Sequence, residues 1–227
     1  MTIAEKLTTI AENEIKVYEA GRQAEYDAFW DEVQPQIASA SYVSLFAGRA
    51  WTDARFKPPY PITFSGGCNN AFHNTGIQNM CQCIETAGVA VKFEGITQAG
   101  SMFSYSRITH LPVMDFSNAA NINYIFSGAN ILQFIEKIIV SENCTYVLAF
   151  NACSALESVT FEGVIGKSIS FDASPLLNDA SVQSIIDHLK DLTGATAQTL
   201  TFHADVGAKL TDEQKAAITA KNWTLAY

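Results

Sequence analysis

The sequence predicts an α+β protein: a β-solenoid behind a long N-terminal helix, closed by a C-terminal α/β cap. Three observations predict it. A phrase of Phe, four or five small residues, an aliphatic residue and a strand-like run recurs through the middle of the chain. It reads Phe103-Ser-Tyr-Ser-Arg-Ile108, Phe126-Ser-Gly-Ala-Asn-Ile131 and Phe150-Asn-Ala-Cys-Ser-Ala-Leu156, with a weaker copy at Phe72-His-Asn-Thr-Gly-Ile77. Successive phenylalanines lie 31, 23 and 24 residues apart, a period in the range of stacked-repeat architectures. One such unit cannot bury its own apolar face, so its Phe and Leu/Ile positions make sense as rungs on neighbours. Before the repeats comes a helical pattern up to Pro35, and after Asp172 the period breaks. The expected domains are 1–38, an oligomerising or docking helix, then 39–172, the repeats, and 173–227, the cap.

The helix is expected to start at a capping box, Thr2 with Glu5, and to stop at Pro35, which offers no amide to the preceding turn. Ile3, Leu7, Ile10 and Val17 form one apolar stripe. Ile15, Tyr18, Tyr26, Phe29 and Val33 form a second, rotated from the first. Two stripes call for two packing partners, and isolated helices owe most of their stability to such packing. The first stripe is therefore the expected oligomer interface of a homo-oligomer, with a trimer favoured by analogy with fibre proteins.

Strands are expected at Ile62–Phe64, Val89–Phe93, Val113–Phe116, Lys137–Val140, Tyr146–Phe150, Ser158–Phe161 and Ser168–Phe171. These runs are β-branched or aromatic and bounded by Gly, Asn or Ser. In the cap, Val182, Ile185, Ile186, Leu189 and Leu192 recur at helical spacing. Thr199–Phe202 reads as a strand, Thr211 with Gln214 as a second capping box, and Trp223–Tyr227 as a closing strand.

The composition narrows function. Of 227 residues 48% are hydrophobic, yet no apolar run approaches the roughly 18–20 residues that cross a bilayer, so no membrane insertion is expected. The net charge is −9 and no Lys/Arg cluster exists, which argues against nucleic acid as a partner. Met1-Thr-Ile-Ala-Glu-Lys6 lacks the basic and apolar regions of a secretory signal, so the chain is expected to stay in the cytoplasm or leave by lysis.

Few residue patterns point to chemistry. Five cysteines stand at 68, 81, 83, 144 and 153. Cys81-Gln-Cys83 with Cys68 and His73 is a conceivable metal set, but its spacing is tighter than the usual zinc knuckle. Buried thiols are the expected state, no metal or other cofactor is expected, and Cys153 falls beside a repeat Phe. His73, His110, His188 and His203 follow no nucleophile or ligand spacing, and no Gly-x-Ser-x-Gly elbow accompanies them. No catalytic residue is expected, and the protein is read as non-enzymatic. Tyr42, Trp51, Tyr60, Tyr105, Tyr124 and Tyr146 are candidates for sugar stacking wherever they face outward, and core filling is the commoner use of such rings.

Ala149-Phe150-Asn-Ala-Cys153-Ser-Ala-Leu156-Glu-Ser-Val159-Thr-Phe161 resembles a BspA-type leucine-rich repeat, and Ala71–Ile77 resembles the same phrase without the cysteine. The resemblance covers about residues 62–172 and implies a leucine-rich-repeat-like solenoid used in adhesion or recognition. The opening Ile3-Ala-Glu-Lys-Leu7, Val17-Tyr-Glu-Ala-Gly-Arg22 and Phe29-Trp-Asp31 resemble N-terminal segments of structural proteins from phages and prophages of gut bacteria. So do Leu210-Thr-Asp-Glu-Gln-Lys215 and Lys221-Asn-Trp-Thr-Leu225 near the end. Together they imply a virion part assembled in the host cytoplasm: a fibre, decoration or tail component, or a host-recognition protein. Other virion proteins, or a host surface receptor or glycan, would be its partners. The alternative is a bacterial cell-surface or secreted adhesion module that binds protein or glycan.

Overall fold

The computed structural model describes residues 3–49 and 56–227, with side chains throughout except at 3–11, 15, 18 and 19. The chain divides into two units, 1–39 and 40–227. The first is helix α1 (Ile3–Ala38), 36 residues long. Pro35 does not stop it. The helix runs three residues further, and the Pro35 carbonyl accepts from the Ser39 amide at 3.1 Å, closing the last turn. The expected capping residue Thr2 and the candidate ring Trp51 lie outside the described residues. Tyr26, Phe29 and Trp30 form edge-to-face ring contacts, at 6.1 Å for Tyr26–Trp30 and 5.3 Å for Phe29–Trp30.

The second unit begins with a loop around Phe46 and then β1 (Ile62–Gly67). A loop around Phe72 leads to α2 (Met80–Ala87) and β2 (Val91–Gln98), and a loop around Phe103 to β3 (His110–Phe116). Loops around Phe126 and Phe150 precede β4 (Phe134–Val140) and β5 (Ser158–Gly163). The end comprises β6 (Ile169–Phe171), α3 (Asp179–Asp187), β7 (Gln198–Phe202), α4 (Ala204–Gly207), α5 (Asp212–Ala220) and β8 (Trp223–Ala226). All strand pairs are parallel.

The expected leucine-rich-repeat-like solenoid sheet is overturned. The strands form three separate small sheets, β1-β2, β3-β4-β5 and β6-β7-β8. Two physical causes are visible. β3 carries Pro112, which has no amide to give a neighbour, and proline in a sheet is confined to edges. The start of β3 instead meets the segment before α2: Asn79 bridges His110, and the Thr109 amide donates to the Gln78 carbonyl at 2.6 Å. At the far edge, α3 takes the place of a next strand. Its Ser181 and Ser184 hydroxyls accept from the Val159 and Phe161 amides, both at 2.9 Å, so the open edge of β5 is satisfied by side chains.

The loops carry the continuity that the sheets lack. In the first four, the amides at Phe−2, Phe and Phe+2 donate to carbonyls of the following loop. Ser44, Phe46 and Gly48 donate to Asn69, Ala71 and His73, and Asn70, Phe72 and Asn74 to Gly100, Met102 and Ser104. The pattern repeats from Ser101 through Gly128. The intervening amides close tight turns within the loop, as from Leu45 to Tyr42 and from Ala47 to Ser44. Backbone alternating in this way between inward and onward bonds must turn sharply on both sides of the Phe. It does: φ is positive at Phe−2 in Ser44, Asn70, Ser101, Tyr124 and Leu148, and at Phe+2 in Gly48, Asn74, Tyr105, Gly128 and Ala152.

This stacking aligns the rings. Phe46–Phe72, Phe72–Phe103, Phe103–Phe126 and Phe126–Phe150 lie at 5.0, 5.2, 5.9 and 5.4 Å. Phe171 and Phe202 extend the column from β6 and β7 at 4.5 and 6.2 Å. Every ring in it is fully buried. The aliphatic rungs are Ile77, Ile108, Leu132 and Leu156. The expected rung Ile131 is displaced by its neighbour Leu132, which sits at Phe+6 as Leu156 does. The segment Tyr146–Phe150, expected as a strand, is part of this turn system, because Leu148 has φ 51° and breaks extended backbone. The irregular 31-residue gap exceeds its 23-residue successor by eight residues, which is the length of α2.

Candidate functional site

Left-handed backbone is the natural place for Gly, Asn or Ser, and costs an ordinary L-residue about 1–2 kcal/mol. At Phe−2 the first three loops comply with Ser44, Asn70 and Ser101, but the next two carry Tyr124 and Leu148. Tyr124 is 43% exposed and Leu148 51%, with Val147 beside it at 52%. These side chains are both conformationally disfavoured and facing water, so local folding energetics does not account for them. The loops are also pinned: the Asn123 side-chain oxygen accepts from the Val147 amide at 2.9 Å and from the Thr145 hydroxyl at 3.1 Å.

Next to this apolar rim lies a groove of about 380 Å³ between Thr145–Leu148, the Lys167–Ser170 segment and β7. Its hydrogen-bonding wall comprises Thr145, Ser168, Ser170, Gln198, Thr199 and Thr201. Alternation in short strands places them: Ile169, Phe171, Leu200 and Phe202 are buried, while the residues between them turn outward. The parallel register sets Ser170 opposite Thr201 and Thr201 opposite Ala226. Ser168 is locked, donating its hydroxyl to the Gln198 side-chain oxygen and accepting from the Thr199 amide, both at 2.9 Å. Because Gln198 uses its oxygen on Ser168, its NH2 is left turned to solvent with two donors. The Thr199 and Thr201 hydroxyls have no protein partner among the described residues. Lys167 is the single charged residue in the lining. A groove so composed holds ligands by hydrogen bonds and apolar contact, and its described lining supplies no carboxylate pair for acid–base work.

The other sequence candidates are dispersed or internal. Cys81 and Cys83 stand two apart on α2, which turns them to different faces: Cys83 is buried and Cys81 half-exposed. Among the described residues, no group of three or more His, Cys, Asp or Glu could hold a metal ion. Burial pushes the Cys68, Cys144 and Cys153 thiols up to about 12. Burial also raises Cys81, with Glu136 adding to the effect. The histidines serve locally: His73 pairs with the Ser104 hydroxyl at 2.6 Å, and His110 lies against Phe134 at 4.8 Å.

Of the candidate rings, Tyr42 and Tyr146 are core residues, and Tyr42 donates to the Thr63 carbonyl at 2.7 Å. Tyr60 is half-buried. Tyr105 is 62% exposed and lies over Gly128, where a Cβ would sit 2.6 Å from the ring, so only glycine fits beneath it. Tyr124 alone among the described candidates is an exposed ring on the loop next to the groove's Thr145–Leu148 wall. Of the expected oligomer-interface residues, Val17 is 74% exposed, and the side chains of Ile3, Leu7 and Ile10 lie outside the described set.

No family model, no curated protein and no solved structure matches this chain. One signal for the groove was present in the sequence: Ser168-Ile-Ser-Phe171 and Thr199-Leu-Thr-Phe202 are the same hydroxyl–apolar alternation, 31 residues apart. Nothing in the sequence marked Leu148 as left-handed.

Proposed function

We propose that this protein is a non-catalytic recognition component whose contact surface is the Tyr124–Leu148 loop face with the adjoining groove. The observation that carries the reading is the pair Tyr124 and Leu148, exposed residues in backbone that the preceding loops give to Ser and Asn. Rigid loops presenting adaptable side chains are a common way to build a binding surface. The resemblance of both flanks to phage and prophage structural proteins supports reading the component as a virion part, a fibre, decoration or host-recognition protein. The same surface suits an adhesion module on a bacterial cell. Self-association through the Ile3, Leu7, Ile10 and Val17 stripe, as a trimer, would multiply a weak contact.

The test is retention of the fluorescently labelled full chain on a panel of gut bacterial cells. Specific, saturable retention that falls at least tenfold in Tyr124→Ser/Leu148→Asn supports the reading. Retention unchanged in that variant removes the loop face from the interaction. For assembly, light scattering should show an oligomer that dissociates in Leu7→Asp/Val17→Asp, and a monomeric wild-type chain at micromolar concentration would refute the stripe.

A further inference from the structure

We propose that the groove binds an uncharged oligosaccharide, an inference that rests on the recognition reading above. Three features of the site select that chemistry. The first is the hydroxyl lattice. Strands of a sheet lie about 4.8 Å apart and alternate residues along a strand about 6.6 Å apart. Ser168, Ser170, Thr199 and Thr201 therefore form a grid whose spacing is on the scale of hydroxyls around a sugar ring, and Thr201 stands opposite Ser170 in register.

The second is which groups remain available. Ser168 is held by Gln198 and Thr199. The Ser170 oxygen accepts the Asp172 amide at 3.2 Å, leaving its proton to donate. The Thr199 and Thr201 hydroxyls, which both donate and accept, and the Gln198 NH2 complete the set. A ligand that carries donors and acceptors together at short intervals satisfies such a wall, whereas a peptide strand would need main-chain partners. Both edges of β7 are taken by β6 and β8, so the Thr199 and Thr201 wall offers side chains and no free main chain.

The third is the rim. Sugar rings have apolar faces bounded by polar edges, and Val147, Leu148 and Tyr124 give an exposed apolar strip beside the hydroxyl wall. Lys167 is the single charged residue in the lining, set among hydroxyl, amide and apolar side chains. The volume of about 380 Å³ falls in the range of small-ligand sites, roughly 300–1,000 Å³.

The deciding experiment applies the full-length protein to a printed array of neutral bacterial and mucin-type oligosaccharides, and to the bacterial cell panel with and without periodate oxidation or protease treatment. The variant is Thr199→Val/Thr201→Val, which keeps side-chain shape and strand preference while removing the hydroxyls, with thermal melting as the folding control. The expected result is binding to a defined subset of neutral glycans, lost after periodate and weakened more than tenfold in the variant at unchanged melting temperature. If the double-valine chain melts early, Gln198→Ala gives the same readout. Glycan binding that both variants retain overturns the groove as the site. Cell retention that survives periodate and disappears with protease overturns the oligosaccharide and leaves the recognition role standing. Absence of binding to every glycan and every cell overturns both.

Discussion

Within residues 40–227 the loops and the strands are built from the same repeated units, yet they behave differently. The loops, and β6 and β7 after them, hold one column of rings from Phe46 to Phe202 with no break. The strands fall into three sheets. The difference lies in what each asks of the chain. A strand ladder needs an amide at every paired position, and Pro112 or the arrival of α3 is enough to end it. The ring column needs a Phe in the right place and a loop whose alternate amides point onward, and any residue tolerating positive φ at two points supplies that. Burial of rings therefore sets the repeat, and strand pairing follows where it can.

The sharpest test sets one ring against another. Phe126→Ala, at the middle of the column, should cost about 3–5 kcal/mol in equilibrium unfolding. Phe134→Ala, on β4 and 36% exposed, should cost less than about 1 kcal/mol. Equal losses would dissolve the distinction between loops and strands. Next in size is the sealed strand edge. Ser181→Ala leaves the buried Val159 amide without its acceptor and should cost about 1–3 kcal/mol, read from the urea midpoint. A neutral result would mean that α3 covers β5 without bonding to it.

The thiols give a pH test specific to the loop segments. Cys68, Cys144 and Cys153 are raised from 9.0 to about 12, so above pH 9 the unfolded chain releases protons that the folded chain keeps. Stability is full below pH 9 and declines as pH climbs towards 12, by about 1.4 kcal/mol for each thiol at pH 10. Urea melts at pH 8 and pH 10 measure it, and Cys153→Ala should remove its share of the slope. The smallest expected effect has the opposite sign. Leu148→Gly relieves left-handed strain and should stabilise by about 0.5–1 kcal/mol while weakening retention on cells. A destabilised variant would mean that Leu148 is held by packing rather than kept for contact.

The ring column was legible because Phe spacing survives any local irregularity, and most strands were legible from their β-branched runs. The helix α2 was not read, although Asn79 and Gly88 cap it: the Asn79 side chain accepts from the Gln82 amide, and Gly88 takes φ 67°. Eight residues with two cysteines offer too little periodicity to mark a helix. Strand edges were illegible for another reason. Pairing is decided by which neighbour arrives, and only the folded chain shows that α3 reaches β5 before any strand does. At the site, the Ser168–Phe171 and Thr199–Phe202 alternation could be read as outward hydroxyls, but not that Val147 and Leu148 would stand beside them, since Tyr146–Phe150 looks like a strand on paper.

The eight residues of α2 enter between a loop and its strand, and the rings on either side, Phe72 and Phe103, remain 5.2 Å apart and nearly coplanar at 8°. Chain length is thus uncoupled from ring spacing at that junction. An insertion of this kind lengthens the chain sideways while the rings on either side stay in contact.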